Sequence, residues 1–279
     1  MTKKKFLAAL STAAITTSLL ATTAFAATPT IEWNNNGGTA QGEGSGEVRL
    51  PVIEVEVPLE LPFAVNPYKL NLSEEDGTSI TDQIWSDNYM IINYSEVPVA
   101  VKTASKATPG TDVALETAVT INTDTGKHEG TDPTKKNAFL GMQFGKTIAF
   151  ANDAYTVTYD ALVFDASNVK DEATLQAKGG LLLNDGSTAT EDVTFVLDIP
   201  SDTNTAAGKN AAAFKYVGVL NDSTTDAYTD EDLKVTTVYT LSVLASDDID
   251  ATGTNDPKGY EAAAAGDNGQ GAQNVWKLK

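Results

Sequence analysis

The sequence predicts an all-β fold: an antiparallel β-sandwich, jelly-roll-like, with long polar loops. One segment shows strict alternation, with Ile53, Val55, Val57, Leu59, Leu61 and Phe63 interleaved with Glu54, Glu56, Pro58, Glu60 and Pro62. A period of two puts one face in a core and the other in water. About ten short β-rich runs follow, separated by clusters of Asp, Asn, Gly, Ser and Thr, the pattern of sandwiches rather than of α/β folds. Helical periodicity is confined to two short stretches, Val169 to Ala177 and Tyr260 to Ala265.

The N-terminal residues read as an export signal. Lys3, Lys4 and Lys5 precede an apolar stretch from Phe6 to Leu20, and Ala24-Phe25-Ala26 is a small-x-small cleavage site. Ser11, Thr12, Thr16, Thr17 and Ser18 dilute the stretch below the ~20 predominantly apolar residues that a membrane-spanning helix needs. Residues 1–26 are therefore expected to be removed, leaving a secreted, extracellular chain that is not inserted in the membrane. Ala27 to Trp33 forms a short stub. Asn34 to Glu47, rich in Asn and Gly, reads as a flexible linker, so that 27–49 precedes a β-sandwich domain over 50–279. A division of that domain is conceivable near 123–136.

The alternating segment over 53–63 comes next. Pro58 and Pro62 share a parity, so one flank of this strand lacks two N–H donors, which suits an edge or a terminal strand. Further strands are expected near Tyr89–Asn93, Val97–Thr103, Val113–Ile121, Phe139–Phe150, Tyr155–Phe164, Val193–Ile199, Phe214–Leu220 and Leu233–Leu244, with a short final one over Val275–Leu278. Leu181-Leu182-Leu183 has the makings of a buried strand. Within 233–244, Val235, Thr237, Tyr239, Leu241 and Val243 share one face; within 154–164, Tyr155, Val157, Tyr159, Ala161 and Val163 do so. The connections over 122–136, 184–191, 201–209 and 247–273 are polar and rich in turn-forming residues.

Composition excludes several functions. The formal net charge is −19, and removing Lys3–Lys5 makes the chain more acidic still. Phosphate backbones repel such a chain, which disfavours nucleic-acid binding. There is no cysteine, so disulfides, thiol catalysis and cysteine-ligated metals are out of reach. His128, the sole histidine, lies in Thr125-Gly126-Lys127-His128-Glu129-Gly130 and reads as an exposed loop residue rather than a catalytic base. No carboxylate stands in a context that marks it as half of a glycosidase pair, and the chain is not expected to be an enzyme. Asp248-Ile249-Asp250-Ala251-Thr252-Gly253 matches the opening of a calcium loop, with Thr252 in place of an acid and Gly259 where the closing glutamate belongs. Calcium is thus the one cofactor to weigh, with Asp248, Asp250 and Asp256 as its ligands, against an acidic loop that holds no ion.

Two functional readings follow. In the first the chain is a surface, matrix or fibre subunit, self-associating or bound to other surface proteins. The strand Ile53, Val55, Val57, Leu59, Leu61, Phe63 either pairs within its own sandwich or is donated to a neighbour. In the second it is an adhesin or carbohydrate-binding module that stacks glycans on exposed rings, for which Trp33, Trp85, Trp276, Tyr68, Tyr89, Tyr228 and Tyr260 are candidates.

The signal, the mature length and the run Ile91-Ile92-Asn93-Tyr94-Ser95-Glu96-Val97-Pro98-Val99-Ala100-Val101 resemble the secreted fibre-forming proteins of Gram-positive biofilm matrices, the camelysin-related group. That resemblance implies a jelly roll and assembly by donation of a terminal strand. The sequence departs from the group directly after the signal, where Ala27-Thr28-Pro29-Thr30 and the glycine-rich linker replace an aromatic-rich opening. The metalloprotease activity associated with the group is not implied, because His128 stands alone.

Overall fold

The computed structural model describes residues 52–66, 83–122, 124, 128–165, 168–183, 191–221, 232–244, 257 and 259–279, together with the backbone of 33–35 and 38–40. It divides into two units, residues 1–54 and 55–279. In the first, strands β1 (Trp33–Asn35) and β2 (Gly38–Ala40) form an antiparallel hairpin inside the expected flexible linker. The dipeptide between them, Asn36-Gly37, is the pair that two-residue hairpin loops favour.

In the second unit the strands run, in chain order, β3 (Val55–Glu56), β4 (Phe63–Val65), β5 (Ile84–Ser86), β6 (Tyr89–Asn93), β7 (Val99–Pro109) and β8 (Val113–Leu115). There follow β9 (Lys136–Phe144), β10 (Thr147–Ala151), β11 (Ala154–Thr158), helix α1 (Glu172–Gln176), β12 (Gly180–Leu182), β13 (Glu191–Leu197) and helix α2 (Asp202–Ala206). The last are β14 (Ala211–Leu220), β15 (Leu233–Val243), β16 (Tyr260–Ala262) and β17 (Val275–Leu278).

Two sheets make the sandwich. In the first, β9 and β14 pair at the centre; β8 and β12 flank β9, while β5 and β6 flank β14 and are themselves edged by β4 and β3. The second has the order β15-β7-β13-β17-β16. All pairings are antiparallel except that of β8 with β9.

The sheets meet over one core that draws Ile91, Leu140, Met142, Phe144, Phe214 and Tyr216 from the first and Val99, Val101, Phe195, Leu197 and Val275 from the second. Phe144 and Phe195 meet edge to face across the interface, with centroids 5.6 Å apart. The other face of the first sheet is covered too. Phe139, Val217 and Val219 pack under Leu175 of α1 and Phe164, while Ile92, Ala211 and Ala213 pack under the β10–β11 hairpin. Burial on both faces explains why β9 and β14 read as nearly unbroken apolar runs. The second sheet keeps one wet face, and β15 alternates accordingly.

Several expectations need correction. The segment 53–63 is not one continuous strand. Val55 and Glu56 pair with β6, Phe63–Val65 pair with β5, and Pro58 to Pro62 lie in no strand. Seven residue steps from Glu56 to Phe63 lie opposite six from Ile92 to Ser86, so the edge carries one extra residue where the prolines withhold their donors. Tyr260 to Ala265 is not helical: Gly259, at φ +87°, turns the chain so that Tyr260–Ala262 pairs with β17. His128 is not exposed but buried, with 3% of its surface accessible.

Boundaries also move. The run from Phe139 breaks at Gly145 into β9 and β10, the strand from Tyr155 ends at Thr158, that from Val113 ends at Leu115, and that from Val97 extends to Pro109. Helix α1 does form within the predicted stretch, where Asp171 caps it and exchanges hydrogen bonds with Thr174. Helix α2 sits in the expected loop 201–209, capped by Ser201.

Candidate functional site

Pairing potential is set by which strands end each sheet. Three of the four lateral edges are short or guarded. The β3–β4 edge is interrupted by Pro58 and Pro62, and the Tyr89 hydroxyl donates to the Pro62 carbonyl, tying that edge to its neighbour. The β8 and β12 edge consists of two three-residue pieces. At β16, also three residues, Lys277 of the adjoining strand bridges Glu261 at 3.2 Å and Asp267 at 3.0 Å.

The fourth edge, β15, is different. It pairs with β7 along all eleven of its residues, and no described strand lies on its other side. The Gly110 N–H donates to the Asp232 carbonyl and the Leu244 N–H to the Pro98 carbonyl, each at a residue of even number. Even-numbered residues thus bond to β7, and the odd-numbered ones, Leu233 to Val243, direct their N–H and C=O groups off the sheet. Their side chains Val235, Tyr239 and Leu241 are half-buried against the core. Val238, on the outer face, is 56% exposed. The strand contains no proline and no acid.

The proposed assembly residues divide between environments. Val55, Val57, Leu61 and Phe63 pack against the core, Ile53 is exposed, and Leu59 is 74% exposed. Phe63 stacks obliquely on Tyr216 at 5.1 Å. Asp248, Asp250 and Asp256 lie outside the described residues, as do Tyr68 and Tyr228 and the export signal. Among the described residues no group of His, Cys, Asp and Glu is placed to hold a metal.

Of the aromatic candidates, Tyr89 is core, packed on Phe214, and Trp85 is exposed on β5. Trp276 and Tyr260 are half-buried on the outer face of the second sheet with Ala100, Val196 and Leu244. Trp276 also lines a cleft of about 270 Å³ with Val196, Pro257, Asp198 and Lys209. Gln273 and Asn274 also line it but are committed to the backbone. The Gln273 amide donates to Ala207 and Gly208, and that of Asn274 to Gly208 and Ala211. The apolar ring and the Asp198 and Lys209 rim are what a ligand would meet. Trp276 is a candidate in the sequence but Asp198 and Lys209 are not, because the residues after α2 and the turn before β17 meet only in the folded chain.

His128 belongs to a buried polar cluster at the start of β9. Its Nδ1 lies 3.0 Å from the Thr120 carbonyl oxygen and 3.2 Å from the Thr120 nitrogen, and its Nε2 is buried with no partner. Nearby, Glu116 accepts from the Thr131 N–H and hydroxyl. Burial lowers the His128 pKa, against opposing contributions from the Thr120 bond, Glu116 and Glu129. A lowered folded-state pKa means that the unfolded chain takes up the proton first as pH falls through about 6.5. Stability contributed by neutral His128 is therefore complete above that pH and lost below it. His128→Gln is expected to flatten the melting temperature between pH 7 and pH 5.5 relative to the parent; parallel curves over that range would show that the histidine is not buried neutral.

No family model matches the chain, and neither a curated protein nor a solved structure matches it. Among the described residues no helix is long and apolar enough to cross a membrane.

Proposed function

We propose that the chain is an exported structural subunit of a Gram-positive cell surface or biofilm matrix that associates with its own kind through sheet edges. The observation that carries this reading is β15, an edge of eleven residues without proline or acid beyond which no described strand lies. Proteins that must stay apart blunt such an edge. The export pattern of residues 1–26, the acidic cysteine-free composition and the resemblance of Ile91–Val101 to biofilm fibre proteins point the same way. A jelly-roll connectivity and association by strand addition belong to the same proposal; the segment 53–63 pairs with β5 and β6 of its own sandwich, so the edge offered to a neighbour is β15.

A second reading, glycan binding, is favoured by the Trp276 cleft, where an apolar ring sits beside the Asp198 and Lys209 rim. Sugar rings stack on aromatic faces while charged side chains take their hydroxyls.

Gel filtration and negative-stain microscopy of the chain beginning at Ala27 separate the two. Oligomers or filaments that grow with concentration are expected. A monomer at all concentrations that binds on a glycan array, and loses binding in Trp276→Ala, would replace the first reading with the second.

A further inference from the structure

We infer that β15 pairs antiparallel with β15 of a second copy about a two-fold axis at Val238, joining two five-stranded sheets into one of ten. This deepens the reading of a self-associating subunit and names the surface used.

The hydrogen-bonding phase permits it. Odd-numbered residues of β15 present their main-chain groups outward, and an antiparallel partner must offer the same from residues directly opposite. In the register of fullest overlap, Thr237 lies opposite Tyr239 and Val235 opposite Leu241, so every such pair joins odd to odd. On the inner face this brings Val235, Tyr239 and Leu241 of each copy together, extending the core that all three already touch. On the outer face Thr236 meets Thr240 and Lys234 meets Ser242, while Val238, 56% exposed in one copy, meets itself. No like charges stand directly opposite, the arrangement antiparallel pairs require.

Length and charge together select this edge, since the edge pieces β4, β8 and β12 are also free of acid but only three residues long. The chain carries 38 acidic residues against 19 basic ones, so two copies repel each other over most of their surface. The eleven residues of β15 contain no acid and one lysine. The adjoining strand shows Lys102 and Lys106 on the same outer face, with Lys102 bridged to Asp192. Copies of this chain can thus pair along the eleven residues of β15 without setting acid against acid within the strand. The β3–β4 edge on the same side of the sandwich, beyond the Phe63 and Tyr216 rings, is blocked by its prolines.

The absence of cysteine makes a direct test simple. Across the axis the two Val238 Cα atoms would stand about 4.5 Å apart, as in any antiparallel pair without mutual hydrogen bonds, within the ~4.4–6.8 Å that a disulfide spans. The two Lys234 residues would lie about 27 Å apart along the strands. In the chain beginning at Ala27, Val238→Cys is expected to give a disulfide-linked dimer under mild oxidation, and Lys234→Cys is not. Thr237→Pro removes an outward N–H together with the hydroxyl that meets Ser105 Oγ at 2.9 Å; measured against Thr237→Val, which loses the hydroxyl alone, it is expected to weaken association at least tenfold by sedimentation while leaving the melting temperature within a few degrees. If Val238→Cys links no faster than Lys234→Cys while the parent chain still assembles, pairing through β15 is wrong and the structural reading survives. If the parent chain stays monomeric at every concentration, both fall.

Discussion

Phe195→Ala is expected to lower the unfolding free energy by about 3–5 kcal/mol, the loss typical of a large ring removed from a core that cannot collapse around the gap. Phe195 has no accessible surface and lies at the centre of β13, the middle strand of the second sheet. Its ring meets Phe144 of β9 at 5.6 Å and 66°, so one side chain spans the space between the sheets. Relaxation into the space is opposed because Phe144 is held from its other side, where its N–H donates to the Gly179 carbonyl at 2.9 Å. Small domains are stable by only ~5–15 kcal/mol, so the variant would lose a large share of the total. Urea unfolding followed by tyrosine and tryptophan fluorescence measures it. Phe150→Ala, in the hairpin beside Tyr155 and half-exposed, serves as the contrast and is expected to cost under about 1 kcal/mol. A loss below about 1 kcal/mol for Phe195→Ala would mean that the two sheets do not meet at this ring pair.

Much of this architecture is legible in the chain. β-rich runs between turn-forming clusters located strands at Tyr89–Asn93 and Val275–Leu278 with the observed bounds, and near the observed bounds at Val193, Phe214 and Leu233. What the runs could not reveal was neighbourhood. The same alternation that marks Leu233–Val243 as half-buried is shared by interior and edge strands alike; its open flank follows from the order β15-β7-β13, a matter of contacts distant in sequence. His128 shows the same limit from the other side. Glycine, lysine and glutamate around it spell a loop, yet bridges to Ile121 and Asn221 hold His128 itself beside the start of β9. Local composition describes what a segment prefers alone, whereas burial is decided by what arrives to cover it.

The segment 53–63 taught something different. Its alternation correctly placed Val55, Val57, Leu61 and Phe63 toward the core, and its prolines correctly marked an edge. Both signals were present in the sequence, but they compete: alternation favours one long strand, while each proline removes a ladder donor and invites a bulge. The observed compromise is two short paired pieces and an extra residue between them, with Leu59 left 74% exposed. A sandwich with such an edge, and with no described strand beyond β15, has one blunted and one available side, the asymmetry that the proposed assembly uses.

Lys136→Met is expected to cost about 3 kcal/mol, and the double variant Lys136→Met with Asp232→Leu to cost clearly less than that single change. The Lys136 ammonium lies 2.9 Å from the Asp232 carboxylate, with side chains only 11% and 13% accessible. Lys136 opens β9 and Asp232 immediately precedes β15, so the pair ties the start of a central strand of one sheet to the open edge of the other. The backbone holds both ends in place: the Lys136 N–H donates to Asp112, and the Asp232 carbonyl accepts from Gly110, each at 2.8 Å. Removing Lys136 takes away the cation 2.9 Å from a largely shielded carboxylate, and breaking a shielded pair costs several kcal/mol, whereas replacing both charges by apolar groups recovers much of the loss. A double-mutant cycle in urea, repeated at low salt and at 0.5 M salt, reads this out, since a shielded pair loses little to screening. Lys277, which bridges Glu261 and Asp267 at the surface, supplies the control, and Lys277→Met is expected to leave the melting temperature nearly unchanged. A Lys136→Met variant as stable as the parent, or a double variant worse than the single one, would show that this pair does not hold β9 to β15.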